Sequence, residues 1–335
     1  MKICSLLPSG TEILFALGLG GQVIGVSDLC DYPVEAMSKH VVSRSKVDAS
    51  ALSSAEVEAE MRRLLEAGEE LYQLDQEWLA KNIPDVVLTQ DLCYFCEVDA
   101  SQVIEAVDSL LHAPQVTVLQ PKTLEEILAS IKQVGAVCQA EVCADRLVVA
   151  LQSRIDAVAA TLHQTTVRPR VFSLEGVNPL VIGGHWIPDL LRLGGGVQDK
   201  YTPGCPAQRI SWEEVVDYAP DKLYIDLCSS DLARNMREVP WLVAQKGWDQ
   251  LPAAKSGEVY LIDHVYFSRP GPRVLQGLEI MAQLTHPALF SGLIPEGAVA
   301  KLDPRLALGC PPDRIAECFK PYPGVKFGAA VPRSP

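Results

Sequence analysis

The chain contains 335 residues, of which 48% are hydrophobic and 21% are charged. This composition is close to the average for globular proteins, and a typical size of about 150 residues per domain predicts two domains. Acidic residues outnumber basic ones by 42 to 29, and the formal net charge of −13 disfavours nucleic acid and anionic membrane surfaces as partners. The composition favours a soluble protein that handles a small molecule.

The N-terminal residues and the cysteine content indicate the cellular compartment in which the protein works. No apolar run approaches the ~20 residues that a membrane-spanning helix needs, so we expect no membrane insertion. The chain opens directly on a predicted strand at residues 3–7, without the features of a secretory signal. Without such a signal, the ten cysteines indicate free thiols in a reducing compartment. As written, the sequence predicts a cytoplasmic protein, and we expect a monomer.

Short apolar strands alternate with helices through the first part of the chain. Strands are predicted at residues 3–7, 23–26, 86–89 and 116–119. The first helix is predicted to have Ser9 as its N-cap and Glu12 in the capping-box position. Strands that alternate with helices are typical of a parallel sheet covered on both faces.

A long helical region follows. Residues 124–163 have a helical pattern almost throughout, with one weak point at residues 139–141. Residues 144–161 contain no Gly or Pro and carry apolar residues at helical spacing. Such a helix is a rod of ~27 Å, long enough to join two lobes. After residues 168–170 the strand–helix alternation begins again.

Two pairs of segments resemble each other across the two halves. Residues 3–21 and 171–196 share a strand with Ser-Leu, a loop, and a Leu-rich helix closed by glycines. Residues 77–93 and 211–228 each run from Trp through a helix to Pro-Asp, then to an apolar strand and Asp-Leu-Cys. Two pairs in the same order predict a two-lobed, pseudo-symmetric architecture.

Residues that follow the strands are the candidates for a binding site, because ligands of such sheets bind outside the carboxyl ends of the strands. In the first half these candidates are Pro8, Ser9, Glu12, Tyr32, Arg44, Gln90 and Asp91. In the second half they are Glu175, His185, Trp186, Asp226, Tyr266, Phe267, Arg269 and Arg273. Within the repeat, either Gln90 or Asp91 matches Asp226.

Several motifs together resemble cobalamin-binding proteins of the class III substrate-binding group. They are LLPSGTEILFALGLGGQVIGVSDLCDYP, PDVVLTQDLC, GGHW, SWEEVVDYAPD and YFSRPGPR, in this order over about residues 2–290. That group serves ABC importers of cobalamin, haem and iron–siderophore complexes, and its members are usually periplasmic or located at the cell surface. The resemblance therefore implies a different compartment from the cytoplasmic one that the sequence as written predicts. The resemblance implies two Rossmann-like α/β lobes with mainly parallel sheets, joined by one long backbone helix, with a shallow ligand cleft between the lobes.

The resemblance also suggests a division of the chain into four parts. They are an N-terminal α/β lobe at residues 1–122, a helical segment with the inter-lobe helix at 123–166, a C-terminal α/β lobe at 167–290 and an irregular extension at 291–335. The extension is Pro-rich, poorly periodic and continues beyond the usual end of the family, which favours an irregular or partly disordered strap.

The function implied by the resemblance is non-catalytic binding of a corrinoid or a related metal chelate in the inter-lobe cleft, with no cofactor required. The resemblance places Arg269, Pro272 and Arg273 in a loop that faces the ligand, where guanidinium groups suit amides and carboxylates. Four aromatic side chains would supply flat apolar surface to a macrocycle: Tyr32, Trp186, Tyr266 and Phe267. The alternatives are that Arg273 pairs inside the second lobe and that an aromatic belongs to the core.

An ABC permease is the macromolecular partner that the resemblance implies. Members of the group dock through one acidic residue on each lobe, and Glu97 and Glu213 fall nearest those positions. The alternative is that both glutamates belong to an ordinary solvated surface.

The cysteines leave a second hypothesis open. Cys93 and Cys96 form a C-x-x-C pair, and Cys30 precedes them in a neighbouring strand-end loop. Two such thiolates can ligate a metal or exchange disulfides, but a zinc finger needs a second pair, so packed free thiols are the other interpretation. The alternative function is an intracellular metal- or thiol-dependent enzyme that uses these three cysteines with His185. A scaffold adapted to protein contacts is a third possibility.

Overall fold

The computed structural model describes residues 1–49, 52–91, 100–108 and 112–326, which form two compact units. Unit 1 comprises Met1–Leu52, Glu56–Gln152 and Pro270–Pro272. Unit 2 comprises Ser53–Ala55, Ser153–Arg269 and Arg273–Pro335. Each unit contains its own β-sheet, so the predicted α/β class with two sheets is confirmed.

Unit 1 is built from alternating strands and helices. In chain order they are β1 (Ile3–Ser5), α1 (Pro8–Ala16), β2 (Val23–Ser27), β3 (His40–Ser45), α2 (Ser54–Glu66), β4 (Tyr72–Leu74), α3 (Gln76–Asn82), β5 (Val86–Gln90), α4 (Ala100–Asp108), β6 (Gln115–Leu119) and α5 (Leu124–Val137). The sheet has the order β4-β3-β2-β1-β5-β6, and only the β3–β4 pairing is antiparallel. The four predicted strands are confirmed, and β3 and β4 were not predicted.

A long helix follows α5. Gln139 adopts a left-handed φ of 56° after α5, and α6 (Glu141–Leu162) then runs for 22 residues, so the predicted break is confirmed. A side chain on Gly135 would place its Cβ 2.5 Å from the Cβ of Ala144. Glycine is therefore required where α5 turns back on the start of α6. The first half of α6 belongs to unit 1 and the second half to unit 2.

Unit 2 has a mixed sheet. Its elements are β7 (Val171–Val177), β8 (Leu180–Ile182), α7 (Ile187–Leu193), β9 (Gln208–Arg209), α8 (Trp212–Tyr218), β10 (Lys222–Ile225), α9 (Leu232–Val243), α10 (Pro252–Ser256), β11 (Val259–Ile262), α11 (Val274–Thr285), β12 (Val299–Leu302), α12 (Pro304–Ala307) and β13 (Phe319–Pro321). The order is β13-β12-β11-β10-β7-β8-β9. The central strands β7, β10 and β11 are parallel, and the outer strands pair antiparallel. Phe172, Leu223 and Leu261 of the central strands lie in its hydrophobic core.

The C-terminal segment completes this sheet. Strand β12 pairs with β11, and β13 pairs with β12. The expectation of an irregular extension is wrong for these residues. The two strands contain only four and three residues and stand among prolines, which hides them from an analysis of periodicity. Residues 327–335 lie outside the described part of the chain.

Helix α1 begins differently from the prediction. Leu7 is the N-cap, without a side-chain capping bond, and Pro8 is the first helical residue. Proline is favoured at this position because it has no N–H to satisfy and its φ already suits a helix. Ser9 therefore lies inside the first turn, and the predicted Ser9–Glu12 capping box is wrong. The structure has a capping box instead at the start of α8, between Ser211 and Glu214.

The repeat predicted from sequence has a structural counterpart in the two units. Helices α3 and α8 both end at a residue with left-handed backbone, Ile83 with φ 42° and Ala219 with φ 49°. Each is followed by Pro-Asp and then by a parallel strand next to the first strand of its unit. The same helix–turn–strand construction thus occurs in both halves.

The aspartate of each Pro-Asp pair ties two segments together. The Asp85 carboxylate accepts a hydrogen bond of 2.6 Å from the backbone N–H of Lys2, and Asp221 accepts one of 2.8 Å from Arg170. Gln90 lies as many residues after Asp85 as Asp226 lies after Asp221. The alignment of the two aspartates therefore matches Asp226 with Gln90 and not with Asp91.

In the portion of the chain that the structure describes, no helix combines the length and the apolar character that crossing a membrane demands.

Candidate ligand-binding site

A cluster of hydroxyls surrounds a thiol at the carboxyl ends of β1 and β2 in unit 1. The Thr11 hydroxyl lies 2.9 Å from Ser5 Oγ and 3.1 Å from Cys30 Sγ, and Ser27 Oγ lies 3.3 Å from the same sulfur. All four residues are buried. Because Thr11 has a single hydroxyl proton, it can donate fully to only one of these acceptors at a time. The contacts hold Cys30 as a packed, hydrogen-bonded thiol.

Cys4 precedes Ser5 of this cluster on β1. Burial, with a smaller contribution from Cys30, raises the pKa of the fully buried Cys4 thiol. Cys4 therefore stays protonated and acts as a small hydrophobic core residue.

The metal prediction for Cys30 falls partly outside the described residues. Cys93 and Cys96 lie in the segment 92–99, which the structure does not describe, as does Glu97. Within the described ranges, no group of three or more His, Cys, Asp or Glu residues is arranged to hold a metal ion. A metal or cobalt ligand at these three cysteines thus stays a prediction.

The other unit 1 candidates differ in accessibility. Pro8, Ser9 and Glu12 are buried in the first part of α1. Tyr32 is half-buried and precedes Pro33 through a cis peptide bond.

Three further candidates of unit 1 lie on or after its strands. Arg44 is exposed, but it lies inside β3, opposite Gln73 of β4, and not after the strand. Gln90 is the buried last residue of β5. Asp91 is exposed and accepts a hydrogen bond of 2.8 Å from the Gln120 side chain.

Unit 2 has a fully buried carboxyl group at the end of β10. The Ser173 hydroxyl donates a 2.7 Å hydrogen bond to Oδ1 of Asp226, which has no solvent exposure. Its other oxygen, Oδ2, has no hydrogen-bond partner among the described residues. Burial raises the pKa of Asp226 to about 7, although the Ser173 bond favours the charged form. The group is therefore divided between its neutral and charged forms near neutral pH.

The GGHW motif forms a tight turn between β8 and α7. A side chain on Gly184 would bring its Cβ to 2.1 Å from the backbone nitrogen of Ala207, so only glycine fits. His185 has a left-handed φ of 53° and is held by both backbone groups, its N–H donating to Cys205 and its carbonyl accepting from Gly204. Its half-buried imidazole and the Glu175 carboxylate, 3.5 Å from the Gly184 nitrogen, are thereby placed at the same end of the unit 2 sheet.

Two of the four predicted aromatic contacts are buried. Trp186 is 5% exposed and Phe267 is fully buried, and the indole N–H donates a 2.7 Å hydrogen bond to the Phe267 carbonyl. These rings join the GGHW turn to the YFSRPGPR loop and do not present a free face. Tyr266 is half-buried in unit 2.

The arginines of the YFSRPGPR loop lie near carboxylates of unit 2. Arg269 is 7% exposed, and Arg273 is half-buried at the start of α11. Burial and the neighbouring Asp231 raise the pKa of Asp263, while the charges of Arg269 and Arg273 act against that rise. Asp231 and Asp263 were not predicted as site residues. Both are helix N-caps, and an aspartate at an N-cap gives no signal in the sequence beyond its structural role.

The geometry described so far defines an α/β protein with polar groups gathered at the carboxyl ends of both sheets. Comparison with known proteins identifies the family. Residues 3–266 match the family described as "Periplasmic binding protein", and the chain belongs to this family. A binding protein is thereby favoured over the thiol-dependent enzyme considered above.

Similar proteins extend over most of the chain. An ABC transporter substrate-binding lipoprotein of Bacillus subtilis, YvrC, is 25% identical over 86% of this chain and 81% of its own length. A vitamin B12-binding protein of Vibrio vulnificus is 21% identical over 83% of this chain and 87% of its own length. The structure of a periplasmic heme-binding protein from Pseudomonas aeruginosa superposes with a TM-score of 0.65 at 18% identity, covering 86% of this chain and 94% of that one.

Proposed function

We propose that the protein is the substrate-binding component of an ABC importer and that its ligand is a corrinoid or a related metal chelate. The observation that carries this proposal is the similarity to vitamin B12-binding proteins along more than four fifths of the chain. The chelate is then the transported cargo, and the protein performs no catalytic step on it.

We propose that each unit contributes ligand contacts through its own accessible candidates at the strand ends. They are Tyr32, Asp91, Glu175, His185, Tyr266 and Arg273. The half-buried tyrosine rings supply apolar surface, and the Arg273 guanidinium offers planar donors to the amide or carboxylate groups on the rim of a tetrapyrrole. The buried candidates are Ser9, Glu12, Gln90, Asp226 and Arg269. We propose that they position the accessible groups of their own unit and do not contact the ligand.

Binding is tested by titrating the protein with cyanocobalamin and, separately, with haemin, using absorbance and calorimetry. We expect saturable one-to-one binding of one of the two. Failure of both to bind at protein concentrations in the high micromolar range would contradict the proposal.

Arg273→Gln tests the contribution of the guanidinium. The variant should bind the chelate about tenfold more weakly, which corresponds to ~1.4 kcal/mol. Arg192→Gln is the matched control. Arg192 is an exposed residue of α7, and it forms a local ion pair with Asp189 of the same helix. An unchanged affinity in Arg273→Gln would remove this residue from the site.

The internal repeat offers a partner for Glu213 in the proposed docking to a permease. Asp75 caps α3 and Ser211 caps α8, and the second helical residue is Glu77 in one case and Glu213 in the other. Both glutamates are exposed. We propose Glu77 and Glu213 as the matched acidic pair that contacts a permease; Glu97, the sequence-based candidate, lies in the segment that the structure does not describe.

Charge reversal separates docking from ligand binding. Glu77→Lys and Glu213→Lys should abolish ligand uptake by cells that depend on this protein and leave the ligand affinity of the purified protein unchanged. The control is Glu66→Lys, at the exposed end of α2. Normal uptake with both reversals combined would refute the docking assignment.

A further inference from the structure

Two cysteines of the C-terminal segment follow the short helix α12, and backbone hydrogen bonds tie one of them to each end of that helix. Cys310 follows α12 and donates its backbone N–H to the carbonyl of Ala307, the last residue of the helix, at 3.0 Å. The carbonyl of Cys318 accepts a hydrogen bond of 2.9 Å from the backbone N–H of Asp303, the residue that caps the helix. The backbone thus returns Cys318 to the helix that Cys310 has just left.

The side chains of the two cysteines meet in this arrangement. Cys318 is 3% exposed and belongs to the hydrophobic core of unit 2, and Cys310 packs against that core from the half-exposed side. The two thiols are close enough for Cys310 to contribute to the raised pKa of Cys318, and neither is part of a disulfide. The Cys310 thiol also lies 3.6 Å from the Pro311 carbonyl oxygen, to which it can donate. Nothing in the proposed ligand site or docking surface uses either residue.

The accessibility of the pair suggests an order of reaction. Burial, with a smaller contribution from Cys310, raises the pKa of Cys318 to about 11, so this thiol is a poor first nucleophile. Cys310 is partly exposed and can be reached by a dissolved disulfide. The buried thiol is then suited to the second step, in which it needs to reach only its neighbour.

We propose that Cys310 and Cys318 form a disulfide when the protein meets a small-molecule disulfide as oxidant. The Cys310 thiolate attacks one sulfur of the oxidant, forms a mixed disulfide and releases one thiolate. Cys318 then loses its proton to that thiolate, attacks Cys310 Sγ and displaces the second half of the oxidant. The second thiolate takes up a proton from solvent, which replaces the proton that Cys310 lost to solvent when it ionised. The two protein thiols are thus oxidised by two electrons in total, and the oxidant is reduced to two thiols.

The bond would fasten the last part of the unit 2 sheet. The residues between the two cysteines pack against α9, and β13 begins directly after Cys318. A covalent loop here restricts the unfolded chain at the point where β12 and β13 join the sheet.

The chain offers a specific readout for this bond. Trypsin cleaves after Arg305 and Arg314, which places the two cysteines in separate peptides, LALGCPPDR and IAECFKPYPGVK. The full-length reduced protein is incubated with oxidised glutathione, free thiols are blocked with iodoacetamide, and the tryptic digest is analysed by mass spectrometry without reduction. We expect the two peptides as one linked species that separates on reduction.

The oxidised protein should also melt about 5 °C above the reduced protein. Cys310→Ser should lose both the linked species and this redox-dependent difference in melting temperature. Cys143→Ser, which removes an exposed cysteine of α6, should keep both. If glutathione remains attached to Cys310, or if both cysteines are recovered alkylated after oxidation, the proposal is overturned.

Discussion

At the scale of single residues, Asp226 shows what burial does to a carboxyl group. Oδ1 accepts a 2.7 Å hydrogen bond from the Ser173 hydroxyl, and Oδ2 has no hydrogen-bond partner among the described residues. Since burial raises the pKa from 3.8 to about 7, the folded protein binds this proton more tightly than the unfolded chain does. Stability from this group is therefore fully present below pH ~4 and is lost as the pH rises through 7.

Asp226→Asn replaces the titrating carboxyl with a neutral amide, so the variant does not lose stability through ionisation of this group at high pH. We expect the variant to have a higher free energy of unfolding than the wild type at pH 8, by the order of a few kcal/mol, and a smaller difference at pH 5. Urea denaturation at both pH values measures it, with Ser173→Ala as a control that removes the hydroxyl but keeps the titrating group. A difference between Asp226→Asn and the wild type that does not depend on pH would contradict the account.

Glu258 is the opposite case, a carboxylate held in its charged form. Lys222 and Lys301 approach its two oxygens at 2.5 Å each, and the Tyr260 hydroxyl donates a 2.6 Å hydrogen bond. These groups outweigh desolvation, which raises the pKa, and lower it to about 2. The stability that Glu258 contributes is present above pH 4.5 and is lost as the pH falls toward 2.

Glu258→Gln leaves two ammonium groups without their shared counter-charge. We expect it to lower the free energy of unfolding by about 2 kcal/mol at pH 7. The difference from wild type should shrink between pH 4.5 and 2, as followed by thermal or urea unfolding across that range. The exposed Glu66→Gln should be neutral throughout. A constant difference down to pH 2 would show that the lost charge is not the cause.

At the scale of elements, the Pro-Asp pairs of the repeat join a helix–strand unit to the first strand of each sheet. Asp85→Ala and Asp221→Ala should each lower the free energy of unfolding by about 1 kcal/mol, because each removes one charge-assisted hydrogen bond to a backbone N–H. Hydrogen exchange should speed up at Lys2 and Arg170, respectively.

The conservative variants separate the hydrogen bond from other effects. Asp85→Asn and Asp221→Asn keep an acceptor oxygen and should lose less stability than the alanine variants. If only one of the two alanine variants is destabilised, the two halves are not built in the same way at this point.

The sequence predicted the elements that have a strong local signal. The four apolar strands of unit 1 and the break between α5 and α6 were found because burial and helix termination leave clear patterns. Strand β3 was missed because His40–Ser45 is half polar. Strands β4, β12 and β13 were missed because they are three or four residues long and each includes a polar or charged residue. Strand β1 is equally short, but Leu6 and Leu7 continue its apolar run. Short edge strands depend on pairing partners far along the chain, which local patterns do not contain.

The sequence located residues at the ends of strands but did not predict which of their side chains are accessible. The rule that ligands bind at the carboxyl ends of strands selected Asp226 and His185 correctly as strand-end residues. It did not distinguish an exposed ring from a buried one, as Trp186 and Phe267 show. Burial of a loop side chain is decided by tertiary packing, such as the hydrogen bond from the Trp186 indole to the Phe267 backbone.

For the molecule in its entirety, we propose ligand contacts in both units. The match to the periplasmic binding protein family spans residues 3–266, which includes strand ends of unit 1 and unit 2. Each unit also carries its own copy of the helix–Pro-Asp–strand construction, with an exposed glutamate on the helix. The repeat is thus accompanied by polar groups at the strand ends of each unit, and the proposal that each unit contacts the ligand rests on this feature.

Hydrogen exchange with mass spectrometry, with and without saturating cyanocobalamin or haemin, tests this claim most directly. We expect slower exchange in the presence of the ligand for peptides that follow β1 and β2 in unit 1, and for peptides spanning the GGHW turn and the YFSRPGPR loop in unit 2. Peptides of β12 and β13 should exchange equally in both states. Protection confined to one unit, or located at the amino ends of the strands, would contradict the account.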